Sequence, residues 1–402
     1  MANRHSGSPC GIEQVAQDTA SVAGSEFTAT IIGGGPGGLY LALLIKRARA
    51  DARVRVVEQN AANATFGFGV VFSDRALDFL HDGDPEIAAL ILAHAERWPD
   101  LRIVHRDVVV PIDGNGFSAV GRLQLLQVLQ KVCADGGVEL GFSQRADDLN
   151  MYAQSDLLVG ADGVNSTLRT IFAERFQPRV DNLTNKFIWY GTRQPFDSLT
   201  LTFRHNKAGA FVAHHYRYAP DMSTFIVECD APTWIRAGFD HMDEAATKAY
   251  CETLFAPDLG GHRLISNASF WRNFPILSCA QWQYDNMALI GDAVRTAHFS
   301  IGSGTRLALE DAQTLARILQ EHEWQVRAAL PAYEASRRPV AEKVLRGARG
   351  SAQWYEAFAS KMHLAPLDLA YDYMTRSGRM SADRLASVAP HFASLYQRAG
   401  RN

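Results

Sequence analysis

The sequence predicts an α/β fold in which a Rossmann-like parallel sheet is interrupted by a mainly antiparallel β-sheet domain and followed by C-terminal helices. Three observations predict it. A β-branched run, Thr28 to Ile32, leads into the glycine-rich stretch Gly33-Gly34-Gly35-Pro36-Gly37-Gly38. Two further apolar runs end in polar turns, at Asp156-Leu157-Leu158-Val159-Gly160-Ala161-Asp162-Gly163-Val164-Asn165-Ser166 and at Leu289-Ile290-Gly291-Asp292-Ala293. Between these two lies a block of different texture, rich in Phe, Tyr, Trp, Thr and Val and broken by turns.

The first motif has a direct physical reading. Thr28 to Ile32 suits a buried parallel strand. Gly33 allows the tight turn, Gly35 lets backbone approach a pyrophosphate, and Gly38 permits close helix–strand packing. Leu39 to Arg49 follows as a helix whose N-terminus faces the phosphates. Val54 to Val57 is the second strand. Glu58 ends it about twenty residues past Gly38, where an acid accepts from a ribose hydroxyl. A glycine-rich turn without a nucleotide would not need strand, helix and acid together. The three motifs in this order describe a chain wrapped around one FAD.

The segment from Gln59 to Thr65 reads as a loop. In Phe66-Gly67-Phe68-Gly69, alternating glycines suggest backbone passing a flat group, with a bulged strand as the alternative. Asp74 to Leu80 and Pro85 to Arg97 read as helices, Arg102 to Val110 as a strand, and Ser118 to Ala134 as a helix. Arg122 stands at the head of that last helix, to contact a phosphate or to cap a surface.

The antiparallel block contains Trp189-Tyr190-Gly191, Leu199 to Phe203, Ala210 to Ala213 and Ser223 to Glu228, followed by a helical stretch from Trp234 to Phe255. The expected organisation is a disordered extension at 1–26 and a first FAD-domain segment at 27–175, with a substrate-side insertion around 63–115. The β-sheet substrate domain spans 176–275, the returning FAD-domain segment 276–345 and a helical region 346–402. A ligand cleft belongs between the two domains.

Composition limits the function classes. The 402 residues are 47% hydrophobic and 21% charged with a formal net charge of −3, ample for two domains and without a field for nucleic acid. Five scattered cysteines form no CxxC or Cys/His cluster, so neither disulfides nor a metal site are expected. Residues 1–26 are polar and small, not a signal peptide or membrane anchor. A soluble cytoplasmic protein, monomer or homodimer, with no membrane partner is the expectation.

On these motifs the chain resembles the single-component FAD-dependent aromatic hydroxylases with the p-hydroxybenzoate hydroxylase fold, over roughly residues 27 to 345. That resemblance implies that Asp162 and Gly163 lie at a nucleotide-binding turn. It also implies that Gly291 and Asp292 meet the ribityl and pyrophosphate part of FAD, that Arg122 contacts the cofactor, and that Gly302 and Gly304 pass the flavin ring. The segment departs from the common His and Pro pattern, with Arg295 and Phe299 instead. His298-Phe299-Ser300-Ile301-Gly302-Ser303-Gly304, Phe68 to Ser73 and Tyr373-Met374-Thr375-Arg376-Ser377 resemble the branch that hydroxylates aryl-CoA thioesters, the salicylyl-CoA 5-hydroxylases and 2-aminobenzoyl-CoA monooxygenases. Asn185 to Thr192 and Met222 to Cys229 are also similar to the violacein-pathway hydroxylases of a tryptophan-derived indole ring.

The resemblance implies an NAD(P)H- and FAD-dependent monooxygenase that transfers an oxygen atom from O2 to an electron-rich ring. No second dinucleotide fingerprint occurs, so NADH or NADPH would visit transiently. Substrate contacts are expected from Trp189, Tyr190, His214 and Tyr216, with plain sheet core as the alternative for the aromatics. Alternation sends His214 and His215 to opposite faces, so at most one reaches the cleft. His298 is the candidate proton-handling or substrate-orienting residue, against a structural histidine bonded to a carbonyl. Other classes on the same fold are a flavin reductase or oxidase and a non-catalytic flavoprotein.

Overall fold

The computed structural model describes residues 26–400 apart from 115, 153 and 379, with backbone only at 74–77. The extension expected at 1–26 lies outside the described residues except for Glu26. Strand Thr28–Ile32 sits inside a six-stranded sheet, parallel to Arg53–Val57 on one side and to Leu157–Gly160 on the other. Met287–Leu289 runs parallel to Leu157–Gly160. All three motifs therefore leave from the carboxyl ends of adjacent parallel strands, where open α/β sheets bind their ligands.

Gly33 has φ +110°, and a Cβ there would lie 2.5 Å from the Ala161 carbonyl. Only glycine lets the first motif turn against the second. Helix Pro36–Ala48 buries Leu39, Tyr40, Leu41 and Leu43 and packs against the long helix Gly304–Glu321.

The second sheet has eight strands, with Pro178–Thr192, Met222–Cys229, Gly209–Ala219 and Leu199–Asn206 as antiparallel neighbours. The insertion supplies its far edge: Leu101–His105 pairs in parallel with Leu199–Asn206 and antiparallel with Val108–Ile112. Strand alternation splits the sheet into two faces. One packs Tyr190, Phe211, Phe225 and Phe255 into a closed core. The other carries Phe187, Trp189, His214 and Glu228.

Several local expectations need correction. Phe117–Gly121 is a strand pairing with Gly69–Ser73, so the helix begins at Arg122. The stretch from Arg102 to Val110 is a hairpin, turned at Arg106 and Asp107 with φ +51° and +60°. The helix from Pro85 ends at Leu92, and Glu96–Trp98 joins the Phe117–Gly121 strand. The stretch from Trp234 to Phe255 is two helices, Ala231–Arg236 and Glu244–Leu254, parted near Gly238 at φ +81°. The boundary drawn at 345 falls inside one continuous helix, Val326–Glu356. The described cysteines, Cys133, Cys229, Cys251 and Cys279, are buried and free.

Candidate active site

The cleft at the strand ends collects polar groups that the protein itself leaves unpartnered. Glu58 accepts from the Gly34 amide at 2.8 Å and from the Asn60 amide at 2.8 Å, which fixes its carboxylate beside the glycine turn. A Cβ on Gly35 would meet nothing closer than the Ala161 carbonyl oxygen at 3.8 Å, and on Gly163 or Gly304 nothing within 4 Å. Backbone at these points is open to a ligand. Asp162 Oδ2 accepts from the Thr167 amide at 2.6 Å, while the buried Oδ1 has no partner.

Arg122 and Asp292 complete the group. Neither side chain has a hydrogen-bond partner among the described residues, though each sits within the field of the other. Asp292 is open to the cleft yet ringed by protein on every side, as expected of a group lining a concavity. Burial pushes its carboxyl above the usual range, with Arg295 and Arg122 pulling the other way. Beside Arg122 opens a cleft of 680 Å³ lined by Gly67, Phe68, Gln124 and Tyr218. An anionic dinucleotide fits this set: amides at a helix N-terminus, an unpaired guanidinium, a ribose-accepting acid and a cradle only glycine allows.

A buried ionic cluster holds the Gly291–Ala293 turn in place. Asp311, fully buried, accepts from the Gly291 amide at 2.8 Å. Arg295 grips the same carboxylate through both terminal nitrogens at 2.8 and 2.7 Å, and Arg337 Nε adds a third donor at 2.7 Å. Arg337 also bonds Glu310. Arg295, which departs from the family pattern, is thus a clamp on the Gly291–Ala293 turn and lies over Trp282 at 4.9 Å.

Farther along, the open face of the second sheet meets the Phe299–Ile301 turn. Phe299 lies 5.0 Å from Phe187, 5.9 Å from Phe274, 6.1 Å from Trp189 and 5.4 Å from His214, ring to ring. His298 is only 2% exposed. Its Nδ1 meets Ser300 Oγ at 2.8 Å, Ser300 Oγ meets Ser351 Oγ at 2.8 Å, and Arg376 Nε donates to Ser351 Oγ at 2.9 Å. The Ser300 amide also donates to Nδ1, at 3.4 Å. Donors arriving at Nδ1 assign the proton of the neutral ring to Nε2. Burial pushes the His298 pKa down to about 4, against the opposing pull of Glu228, so the ring is neutral near pH 7.

His214 Nε2 stands 3.4 Å from Glu228 Oε2, an ion-pair distance without hydrogen-bond alignment. Glu228 is 2% exposed, and Asn185 Nδ2 donates to its other oxygen at 2.9 Å. Burial alone would raise the Glu228 carboxyl; His214, His298 and Asn185 outweigh it and hold the group below its usual value. Glu228 was missed in the sequence. A lone acid inside the apolar run Phe225-Ile226-Val227-Glu228-Cys229 was the signal.

Of the other substrate candidates, Trp189 lies on the site face beside Phe299, and His215 on the far face against Phe225 at 5.2 Å. Tyr190 is a correction: fully buried on the far face, it belongs to the core over Glu244–Leu254. Tyr216 shares the His214 face but reaches the cofactor end, where its hydroxyl donates to the Gly69 carbonyl at 2.9 Å.

Residues 126–348 match the family described as FAD binding domain. The chain belongs to that family. It is 42% identical over 356 residues to salicyloyl-CoA 5-hydroxylase of a Streptomyces species, covering 86% of this chain and 69% of that one. It is 34% identical to 3-hydroxy-4-methyl-anthranilyl-[aryl-carrier protein] 5-monooxygenase of Streptosporangium sibiricum, over 88% of this chain and 95% of the other. Protodeoxyviolaceinate monooxygenase of Chromobacterium violaceum is 35% identical, over 86% and 93%. A solved variant of 2-methyl-3-hydroxypyridine-5-carboxylic acid oxygenase superposes with TM-score 0.70 over 90% of this chain and 96% of that one, at 17% identity, a likeness of fold. Family and relatives make this chain an FAD-dependent aromatic monooxygenase with an NAD(P)H reductant. Among the described residues no helix is long and apolar enough to cross a membrane, and no group of three His, Cys, Asp or Glu could hold a metal.

Proposed function

We propose that this monooxygenase hydroxylates an aryl thioester such as 2-hydroxy- or 2-aminobenzoyl-CoA at carbon 5. The observation that carries the reading is the aromatic-walled face around Phe299, flanked by a neutral hydrogen-bond donor at His298 and an imidazole–carboxylate pair at His214 and Glu228. The 42% identity to a salicyloyl-CoA hydroxylase supports this substrate class.

Gly33, Gly35 and Gly38 would hold the pyrophosphate of FAD, Glu58 its ribose, and Arg122, Asp292, Asp162 and Gly163 the polar middle. Gly291 shapes the turn that presents Asp292, and Gly302 and Gly304 face the ring system. When bound and reduced by NADH or NADPH, FAD supplies an electrophilic oxygen drawn from O2. Phe187, Trp189, Phe274 and Phe299 exclude water from the reacting ring. His298 donates from Nε2 to the oxygen substituent of the ring and sets its orientation. Glu228 favours a proton on His214 Nε2, which leaves Nδ1 as the acceptor for the proton of the ring hydroxyl or amine. The negative charge of Glu228 offsets the buried imidazolium that results.

Regiochemistry follows from the substituents. Carbon 5 is para to the hydroxyl or amino donor and meta to the deactivating carbonyl, so both direct oxygen there. The test is a panel of 2-hydroxybenzoyl-CoA, 2-aminobenzoyl-CoA and indolic acids, read by NADH and NADPH absorbance, labelled O2 incorporation and product NMR. The expected product is the 5-hydroxy thioester, with the free acid a poor substrate. A second reading, hydroxylation of an indole-derived ring, is favoured by the 35% identity to the violacein-pathway enzyme. Turnover of the indolic acid with none of the thioesters would select it.

A further inference from the structure

Arg272 is a half-buried cation that the chain leaves without a counter-charge. Three other buried or half-buried guanidiniums are paired: Arg204 with Asp258, Arg295 with Asp311, Arg337 with Asp311 and Glu310. Arg272 has no carboxylate within 4.0 Å and no side-chain hydrogen bond among the described residues. Its Nε is buried and unpartnered. Desolvation lowers its pKa and nothing pulls back. A cation in such a place is costly unless an oxygen-rich group meets it.

Its position gives it a use. Arg272 opens strand Arg272–Cys279 directly opposite Phe187, so its side chain lies on the site face. Alternation puts Phe274 on that face with Arg272, and Phe270, just ahead of the strand, meets the guanidinium from the outer side. Phe274 is 4.9 Å from His298. The guanidinium lies over Phe187 at 5.3 Å and over Phe270 at 5.0 Å. Phe270 is 58% exposed. At about 3.4 Å per extended residue, Phe270 and Phe274 are up to about 14 Å apart along the chain, with the imidazole beyond Phe274. Phe66, 61% exposed, lies on a segment that Asn267 ties down by donating to the Thr65 and Gly67 carbonyls.

We propose that Arg272 anchors the acyl end of the substrate. Its guanidinium donates to the carbonyl oxygen attached to the reacting ring, and the arm beyond the sulfur crosses Phe270 to solvent. The planar fork suits a carbonyl or carboxyl oxygen, and its two flanking rings hold it in plane. This rests on the aryl-thioester reading and names the group that sets the depth of the ring.

The test uses the FAD-loaded enzyme and benzoyl-CoA, which lacks the ring donor and so reports binding without turnover. Arg272→Met, which keeps the stem and removes the fork, should raise the Kd for benzoyl-CoA at least tenfold, with FAD content and melting temperature unchanged. Arg272→Lys should recover part of that loss. Phe270→Ala should weaken benzoyl-CoA a few-fold and leave an S-ethyl thiobenzoate, which has no arm, unaffected. A Kd within twofold of wild type in both Arg272 variants overturns the anchor while leaving the thioester reading intact. Wild-type enzyme that neither binds nor converts any aryl thioester overturns both.

Discussion

Two buried ionic clusters, Arg295–Asp311–Arg337 and His214–Glu228, differ in how completely their atoms are partnered. Around Asp311 both oxygens are taken, by two guanidiniums and a backbone amide. Around Glu228 one oxygen is taken by Asn185, and the other faces His214 across 3.4 Å without alignment. A cluster complete within the protein holds a shape. A cluster missing donors and acceptors on one side is arranged toward something that arrives. The same distinction separates the clamp from Arg122, Asp292 and Asp162 Oδ1 in the cofactor cleft.

Isosteric neutralisation tests this difference most sharply. Asp311→Asn leaves the buried Arg295 guanidinium without a carboxylate, since Arg337 keeps Glu310, and should cost about 3–5 kcal/mol in denaturant unfolding. Glu228→Gln strands no strong cation and should leave stability within about 1 kcal/mol, while turnover falls. Equal losses in the two variants would erase the distinction.

Next in size are the unpartnered groups at the cofactor. Asp292→Ala removes charge-assisted contacts worth about 1.5–3 kcal/mol, so FAD affinity should drop roughly 10- to 100-fold. Gly35→Val places bulk where backbone meets pyrophosphate and should weaken FAD at least as much. Flavin titration of the apoproteins checks both, and wild-type affinity in either would remove that residue from the cofactor site.

His298→Ala should retain FAD and lower product formation about tenfold or more, with NADH consumption diverted to hydrogen peroxide. Product and peroxide measured together give the coupling ratio; an unchanged ratio and rate would reduce His298 to a packing residue.

The smallest effect is on acid stability. His298 sits at about 4 when folded against an ordinary 6.5. As pH falls, the unfolded chain takes the proton first, so stability declines between pH 6.5 and about 4. His298→Gln should flatten that limb in part, because His215, held at about 3, declines over the same range and beyond. Unfolding midpoints at pH 7 and pH 5 for variant and wild type give the difference.

The fold of the parallel-sheet half was legible because its signals are local. Glycines at fixed spacing, an acid at a strand end and a Gly-Asp turn each state their own conformation. The fold of the second sheet was less so, because its signals depend on partners far along the chain. Phe117–Gly121 is apolar enough to begin a helix, and only pairing with Gly69–Ser73 makes it a strand. Arg106 and Asp107 turn a hairpin without glycine or proline, and a single Asp inside an apolar run was too weak a signal to announce it. Tyr190 and Trp189 are neighbours of the same kind, and sheet register alone decides that Tyr190 enters the core. Arg376 stands in the tail motif, yet its link to His298 runs through Ser351, 51 residues past Ser300 and 25 before Arg376, in a stretch that carries no motif of its own.

Helix Val326–Glu356 carries Arg337 of the first cluster and reaches residues beside the second. Arg337 reaches Asp311, Ser351 reaches Ser300, and Glu356 accepts from the Thr184 and Asn185 amides at 2.8 and 2.9 Å. At about 1.5 Å per residue, the roughly nineteen residues from Arg337 to Glu356 span about 28 Å in fixed rotational phase. One inserted residue would turn one end about 100° against the other. The helix therefore works as a ruler and a key at once: it gauges the distance between the clamp on the Gly291–Ala293 turn and the second sheet, and it admits only one angular setting of the two.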